Sequence, residues 1–96
     1  TWTNVPKPVD AAPSTLSPDV TNGQAWYDLI LKVHPNDGNV VYIGGASFAR
    51  SVDGGATWFC FPYWNDVHPD HHAFEFRPNA TNEMILGNDG GVYYST

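Results

Sequence analysis

The chain has 96 residues, a formal charge of −6 from ten Asp and Glu against four Lys and Arg, and 15% aromatic residues. That length allows one small domain with a modest core, and the aromatic share argues against disorder. The acidic balance offers no basic patch for phosphates, which excludes nucleic acid as a partner, and no apolar run approaches the roughly 18 residues of a membrane span.

Thr1-Trp2-Thr3-Asn4-Val5 reads as a short strand that begins midway through a pattern. Pro6 to Asn22 carries Pro6, Pro8, Pro13 and Pro18 among Ser, Thr, Asp and Ala. Prolines remove donors and fix φ, so this stretch predicts a long extended surface loop. Loops of such length are usually functional or mobile. Gly23 to Asp28 leads into Leu29-Ile30-Leu31-Lys32-Val33, a short and nearly continuous apolar run that predicts a strand buried on both faces. His34 to Asn39 has turn composition, Val40 to Gly45 predicts a second strand, and Phe48 to Ser51 a third.

Ser51-Val52-Asp53-Gly54-Gly55-Ala56-Thr57-Trp58 then predicts a hairpin corner. Glycine reaches positive φ cheaply, and an Asp side chain bonds nearby backbone N–H groups. Asp53 and Thr57 are expected to pin the turn, with Trp58 folding back over an apolar layer. A fourth strand follows over Thr57 to Phe61, completing an antiparallel meander. Cys60, the single cysteine, excludes an intrachain disulfide and reads as a small buried apolar residue.

The pattern restarts after Phe61. His72 to Asn79 follows Leu29 to Asn36, Asn82 to Gly87 follows Asn39 to Gly44, and Val92 to Ser95 follows Phe48 to Ser51. Pro35 and Pro78 stand 43 positions apart, and Ser51 and Ser95 stand 44 apart. A period of roughly 40–45 residues with four strands is that of a propeller blade. The expected segments are residues 1–5 as the last strand of a preceding blade and 6–25 as the Pro-rich loop. Residues 26–62 form a complete blade, and 63–96 a loop with three strands of the next. A blade cannot bury both faces alone. Its expected partners are the remaining blades of a larger propeller, from which this chain would be a fragment. The alternative is other copies of itself, with Thr1–Val5 of one completing the last blade of the next.

The octet Ser51 to Trp58 matches the Asp-box (BNR) pattern Ser-x-Asp-x-Gly-x-Thr-Trp through Ser51, Asp53, Gly55, Thr57 and Trp58. Val-His-Pro-Asn-Asp over 33–37 and Gly-Asn-Asp-Gly-Gly-Val-Tyr-Tyr-Ser-Thr over 87–96 extend the likeness. The chain thus resembles Asp-box β-propellers of sialidases, sortilin-like receptors and xyloglucanase-like glycosidases (family 74). The resemblance covers residues 23–96. It implies an all-β propeller segment, a secreted or cell-surface location and a structural role for the box. It is weak for chemistry, because one propeller fold hosts hydrolases, receptors and scaffolds alike.

Candidate functional residues cluster where each blade's first strand begins. Trp26, Tyr27 and Asp28 precede the first; His68, Asp70, His71 and His72 lie at the start of the next. Aromatic rings beside carboxylates suit polysaccharide, through ring stacking and hydrogen bonds to hydroxyls. Asp28 and Asp70 are the acid–base pair to test if the chain belongs to a glycoside hydrolase. Imidazoles and carboxylates also suit a divalent metal, with His68, Asp70, His72 and Asp89 as candidate ligands. The plainer alternative is that Asp70 and one histidine fix the strand's start by bonding loop backbone, and that Asp89 caps the Gly90-Gly91 turn. No nucleophile, phosphate-loop or Cys-x-x-Cys motif is present, so no cofactor is expected. Three functional classes remain open: a binding or scaffold segment, a hydrolase fragment, and a structural repeat in a ring.

Overall fold

A computed structural model describes residues 1–8, 19–61 and 67–96. Among these residues the protein is all-β, with seven strands in two antiparallel sheets. Sheet 1 contains β1 (Ile30–His34), β2 (Asp37–Gly44), β3 (Phe48–Ser51) and β4 (Phe59–Phe61) in sequential order. Sheet 2 contains β5 (His71–Arg77), β6 (Ala80–Asn88) and β7 (Gly91–Ser95), also in order. No described helix is long and apolar enough to cross a membrane.

The restart of the pattern is visible in the pairing. β1 pairs with β2 from Ile30↔Gly44 to His34↔Asp37, with a shift after Val33. β5 pairs with β6 down to Arg77↔Ala80, with a shift after Phe76. Both hairpins therefore turn on a Pro-Asn pair, Pro35-Asn36 and Pro78-Asn79. Asn79 sits at φ 63°, a conformation Asn tolerates better than most residues. The sequence-based turn over His34 to Asn39 is too long. Asp37 to Asn39 continue into β2, because a two-residue loop lets pairing resume at once. β4 is shorter than expected, beginning at Phe59 instead of Thr57.

The core lies between the two sheets, with Tyr42 and Phe48 facing Phe74 and Leu86. Tyr42 stacks on Phe74 at 4.9 Å between ring centroids, and Phe48 lies 5.4 Å from Phe74. Such aromatic pairs each add about 0.5–1.5 kcal/mol beyond area burial. A second cluster on the far face of sheet 1 joins Val20, Ala49 and Trp58. The expectation that β1 is buried on both faces does not hold here. Leu29, Leu31 and Val33 are exposed, because among the described residues no sheet covers that side of β1.

The corner after β3 is tightly bonded. The Ser51 hydroxyl accepts from the Gly55 N–H at 2.8 Å and donates to Asp53 Oδ1 at 2.8 Å. Asp53 accepts from the Thr57 N–H at 2.8 Å and from the Thr57 hydroxyl at 2.5 Å. Gly54 and Gly55 take φ 69° and 92°, which glycine adopts more readily than any residue with a Cβ. Trp58 is buried, and its indole N–H donates to the Pro6 carbonyl at 3.1 Å.

Residues 1–8 form no strand. The greater part of the Pro-rich loop, residues 9–18, and the stretch 62–66 with Asn65 and Asp66 lie outside the described residues. The loop's last turn is firmly placed: Val20 is buried, and its carbonyl accepts from the Ser47 N–H at 2.8 Å.

Candidate functional site

The turn Gly45–Ser47, between β2 and β3, fastens both halves of the site. Its Ser47 N–H holds the lead-in loop of sheet 1 through Val20. Its Gly45 and Ala46 carbonyls accept from the N–H groups of His71 at 2.8 Å and Asp70 at 3.4 Å, at the start of sheet 2. Gly45 is packed so closely that a Cβ there would lie 3.0 Å from the Val20 carbonyl oxygen and 3.3 Å from that of Asp28. Residues 24–28 consequently sit beside residues 70–72, although more than 40 positions separate them in the chain.

The lead-in loop folds as one turn, with the Tyr27 and Asp28 N–H groups donating to the Gln24 carbonyl at 2.8 and 3.2 Å. This aims the Gln24 side chain between two carboxylates. Its amide donates to Asp28 Oδ2 at 3.1 Å and to Asp70 Oδ1 at 2.5 Å. Asp28 is 1% exposed, and its Oδ1 has no hydrogen-bond partner among the described residues. Burial pushes its carboxyl above the ordinary range, the negative charge of Asp70 adds to this, and the Gln24 bond opposes it. Asp70 is half-buried and stands at φ 63°.

A second group surrounds Asp89, in the β6–β7 turn. The Tyr27 hydroxyl donates to both of its oxygens, at 3.0 and 2.9 Å, and His72 Nε2 lies 2.8 Å from Oδ1. The Tyr27 and His72 rings meet edge to face at 4.8 Å. Hydrogen bonds from His72 and then Tyr27 hold the Asp89 carboxyl below its ordinary range. The bond to Asp89 raises the Tyr27 phenol, which disfavours Tyr27 as a nucleophile. Trp26 projects beside Tyr27 at 5.8 Å between centroids and is 86% exposed.

The three histidines of the 68–72 stretch point to different tasks. His68 is exposed; its Nδ1 lies 3.0 Å from the Pro69 carbonyl, and its own carbonyl accepts from the Asn88 side chain at 2.6 Å. His71 turns inward, is 2% exposed, and packs 5.3 Å from Phe48. Burial pushes its imidazole down to about 4, against an upward pull from Asp70. Alternation along an extended strand accounts for the opposed directions of His71 and His72. Among the described residues no group of three or more His, Cys, Asp or Glu side chains is arranged to hold a metal ion. Of the four metal candidates, His72 and Asp89 bond each other, whereas Asp70 bonds Gln24.

The structure thus brings together Trp26, Tyr27, Asp28, Asp70, His72 and Asp89, and sets His71 behind them in the core. Gln24, which joins the two aspartates, was not singled out by sequence reasoning. A lone glutamine in a loop has no spacing signature. No protein-family model, curated protein or solved structure matches the chain.

Proposed function

We propose that the chain is a binding segment of a secreted or cell-surface Asp-box propeller, and that its ligand is carbohydrate. The reading rests on one observation: the 86% exposed Trp26 indole stands beside a bonded rim of Tyr27, Asp89 and His72. An open aromatic face suits the apolar face of a sugar ring, and carboxylate oxygens accept from its hydroxyls. The rim is already bonded before any ligand arrives, so little ordering entropy is lost on binding.

Calorimetric titration with soluble β-glucan and xyloglucan oligosaccharides tests this reading. Trp26→Ala is expected to weaken binding at least tenfold, about 1.4 kcal/mol. Trp2→Ala, which removes an even more exposed indole outside the site, should change nothing. Absence of saccharide binding, or equal losses in both variants, would overturn the proposal.

A second reading, a fragment of a glycoside hydrolase, is favoured by the shared Gln24 amide. It holds the Asp28 and Asp70 carboxylates close together, and Asp28 carries the raised carboxyl that a general acid needs. Against it stands the burial of Asp28, which at 1% exposure offers substrate almost no open surface. Release of reducing ends in the same titrations, abolished in Asp70→Asn, would favour the hydrolase.

A further inference from the structure

We infer that the two outward sheet faces are complementary halves of one interface, and that a second copy of this chain completes it head to tail. The argument starts from the repeat. Leu31, Val33 and Ile43 on sheet 1 correspond, 43 positions on, to Phe74, Phe76 and Leu86 on sheet 2. The sheet 2 residues are packed against sheet 1. Their sheet 1 counterparts lie on the face turned away from sheet 2, where Leu31 is 61% exposed and Leu29 and Val33 are open beside it.

The converse holds for the other set. Tyr42 and Phe48, buried between the sheets, correspond to Ile85 and Val92. Those lie on the outer face of sheet 2 and are 51% and 78% exposed. The junction seen within the chain therefore uses one face of each repeat, and the unused faces are the matching opposites. Val20 and Trp58 pack over the outer face of sheet 1 from β4 as far as Val41 and Ile43 of β2, so the open part is β1, with Leu31 and Val33. The existing junction also runs along this strand, with Lys32 of β1 on Glu75 of β5 at 2.5 Å and His34 on Phe76 at 5.1 Å.

Charge selects the occupant. Lys32 and Glu75 are equivalent positions of the two repeats with opposite signs. A sheet docking on the outer face of sheet 2 brings its own residue at that position toward Glu75. A sheet of the first kind brings Lys32; a sheet of the second kind brings another Glu. Alternation of the two repeats, which copies of this chain supply, puts a Lys beside a Glu at every junction. An interface of this heterologous kind propagates until it closes into a ring. The inference does not depend on the carbohydrate reading.

Leu31→Glu and Ile85→Glu test it, because each disables one half and leaves the other intact. Both positions are solvent-facing, so circular dichroism and melting should match the unaltered chain. Analytical ultracentrifugation of that chain is expected to show species heavier than 10.6 kDa that grow with concentration. Each variant alone should sediment as the monomer, and an equimolar mixture should form a 1:1 dimer through its one intact junction. An unaltered chain that stays monomeric at millimolar concentration would overturn the inference. So would a variant that still self-associates alone, or a pair that fails to complement.

Discussion

Ser51 concentrates more structure in one hydroxyl than any other residue of the corner. It is 1% exposed, accepts from the N–H groups of Gly55 and Asp53, and donates to the carboxylate that in turn holds Thr57. Ser51→Ala leaves the N–H of Gly55, itself buried, without its acceptor. An unsatisfied buried donor costs about 1–3 kcal/mol, and urea denaturation at pH 7 should show a loss in that range. A loss below about 0.5 kcal/mol would mean that water replaces the hydroxyl. The corner was legible in the sequence, because hydroxyl, carboxylate and paired glycines at fixed offsets are a local chemistry. Gln24 was not, because its bond to Asp70 exists only after two loops 46 positions apart have met.

Elements are placed here by what they pack against, and the Gly45–Ser47 turn is the clearest case. Adding a Cβ at Gly45 would bring it to 3.0 Å from the Thr21 Cα and the Val20 carbonyl oxygen. Both are backbone atoms, so relief requires moving the whole lead-in loop. Gly45→Ala is expected to destabilise by about 1–3 kcal/mol, the usual cost of overpacking. It should also alter Trp26 fluorescence, because residues 24–28 ride on that loop. Gly38→Ala is the control: nothing lies within 4 Å of its Cβ, and removing a glycine from the unfolded chain is neutral or stabilising by up to about 1 kcal/mol. Equal effects of the two substitutions would show that backbone entropy, not packing, governs both. The strand order was readable from alternation and turn residues, whereas strand lengths were not. Asp37 to Asn39 have turn-like composition, and β2 nevertheless begins at Asp37 because that residue pairs with His34 of β1 across the two-residue loop.

At the scale of the whole molecule, the two sheets are joined at the Gly45–Ser47 turn through a residue that resists protonation. His71 bonds Gly45 by its N–H and lies with its ring against Phe48, between the sheets. Burial holds its imidazole at about 4 instead of 6.5, while Asp70 pulls it upward and His72 and His68 pull it down. Below pH 6.5 the unfolded chain takes up a proton that the folded chain refuses. The His71 contribution to stability therefore falls as pH drops from 6.5 toward 4 and levels off below, a loss of about 3 kcal/mol that the raised Asp28 carboxyl, protonated more readily in the folded chain, offsets in part. That is a large fraction of the roughly 5–15 kcal/mol that holds a small domain together. The Asp53 carboxyl, held at about 2 chiefly by Thr57, adds a further loss of the same sign only once pH falls below its ordinary value near 3.8. The two contributions are separable, since one acts between pH 6.5 and 4 and the other lower. Urea denaturation at pH 7 and pH 4.5 should show the fall in the unaltered chain and a much smaller one in His71→Gln, which cannot titrate. A folded-state His71 titrating near 6.5 by NMR, or an equal fall in the Gln variant, would place the acid sensitivity elsewhere.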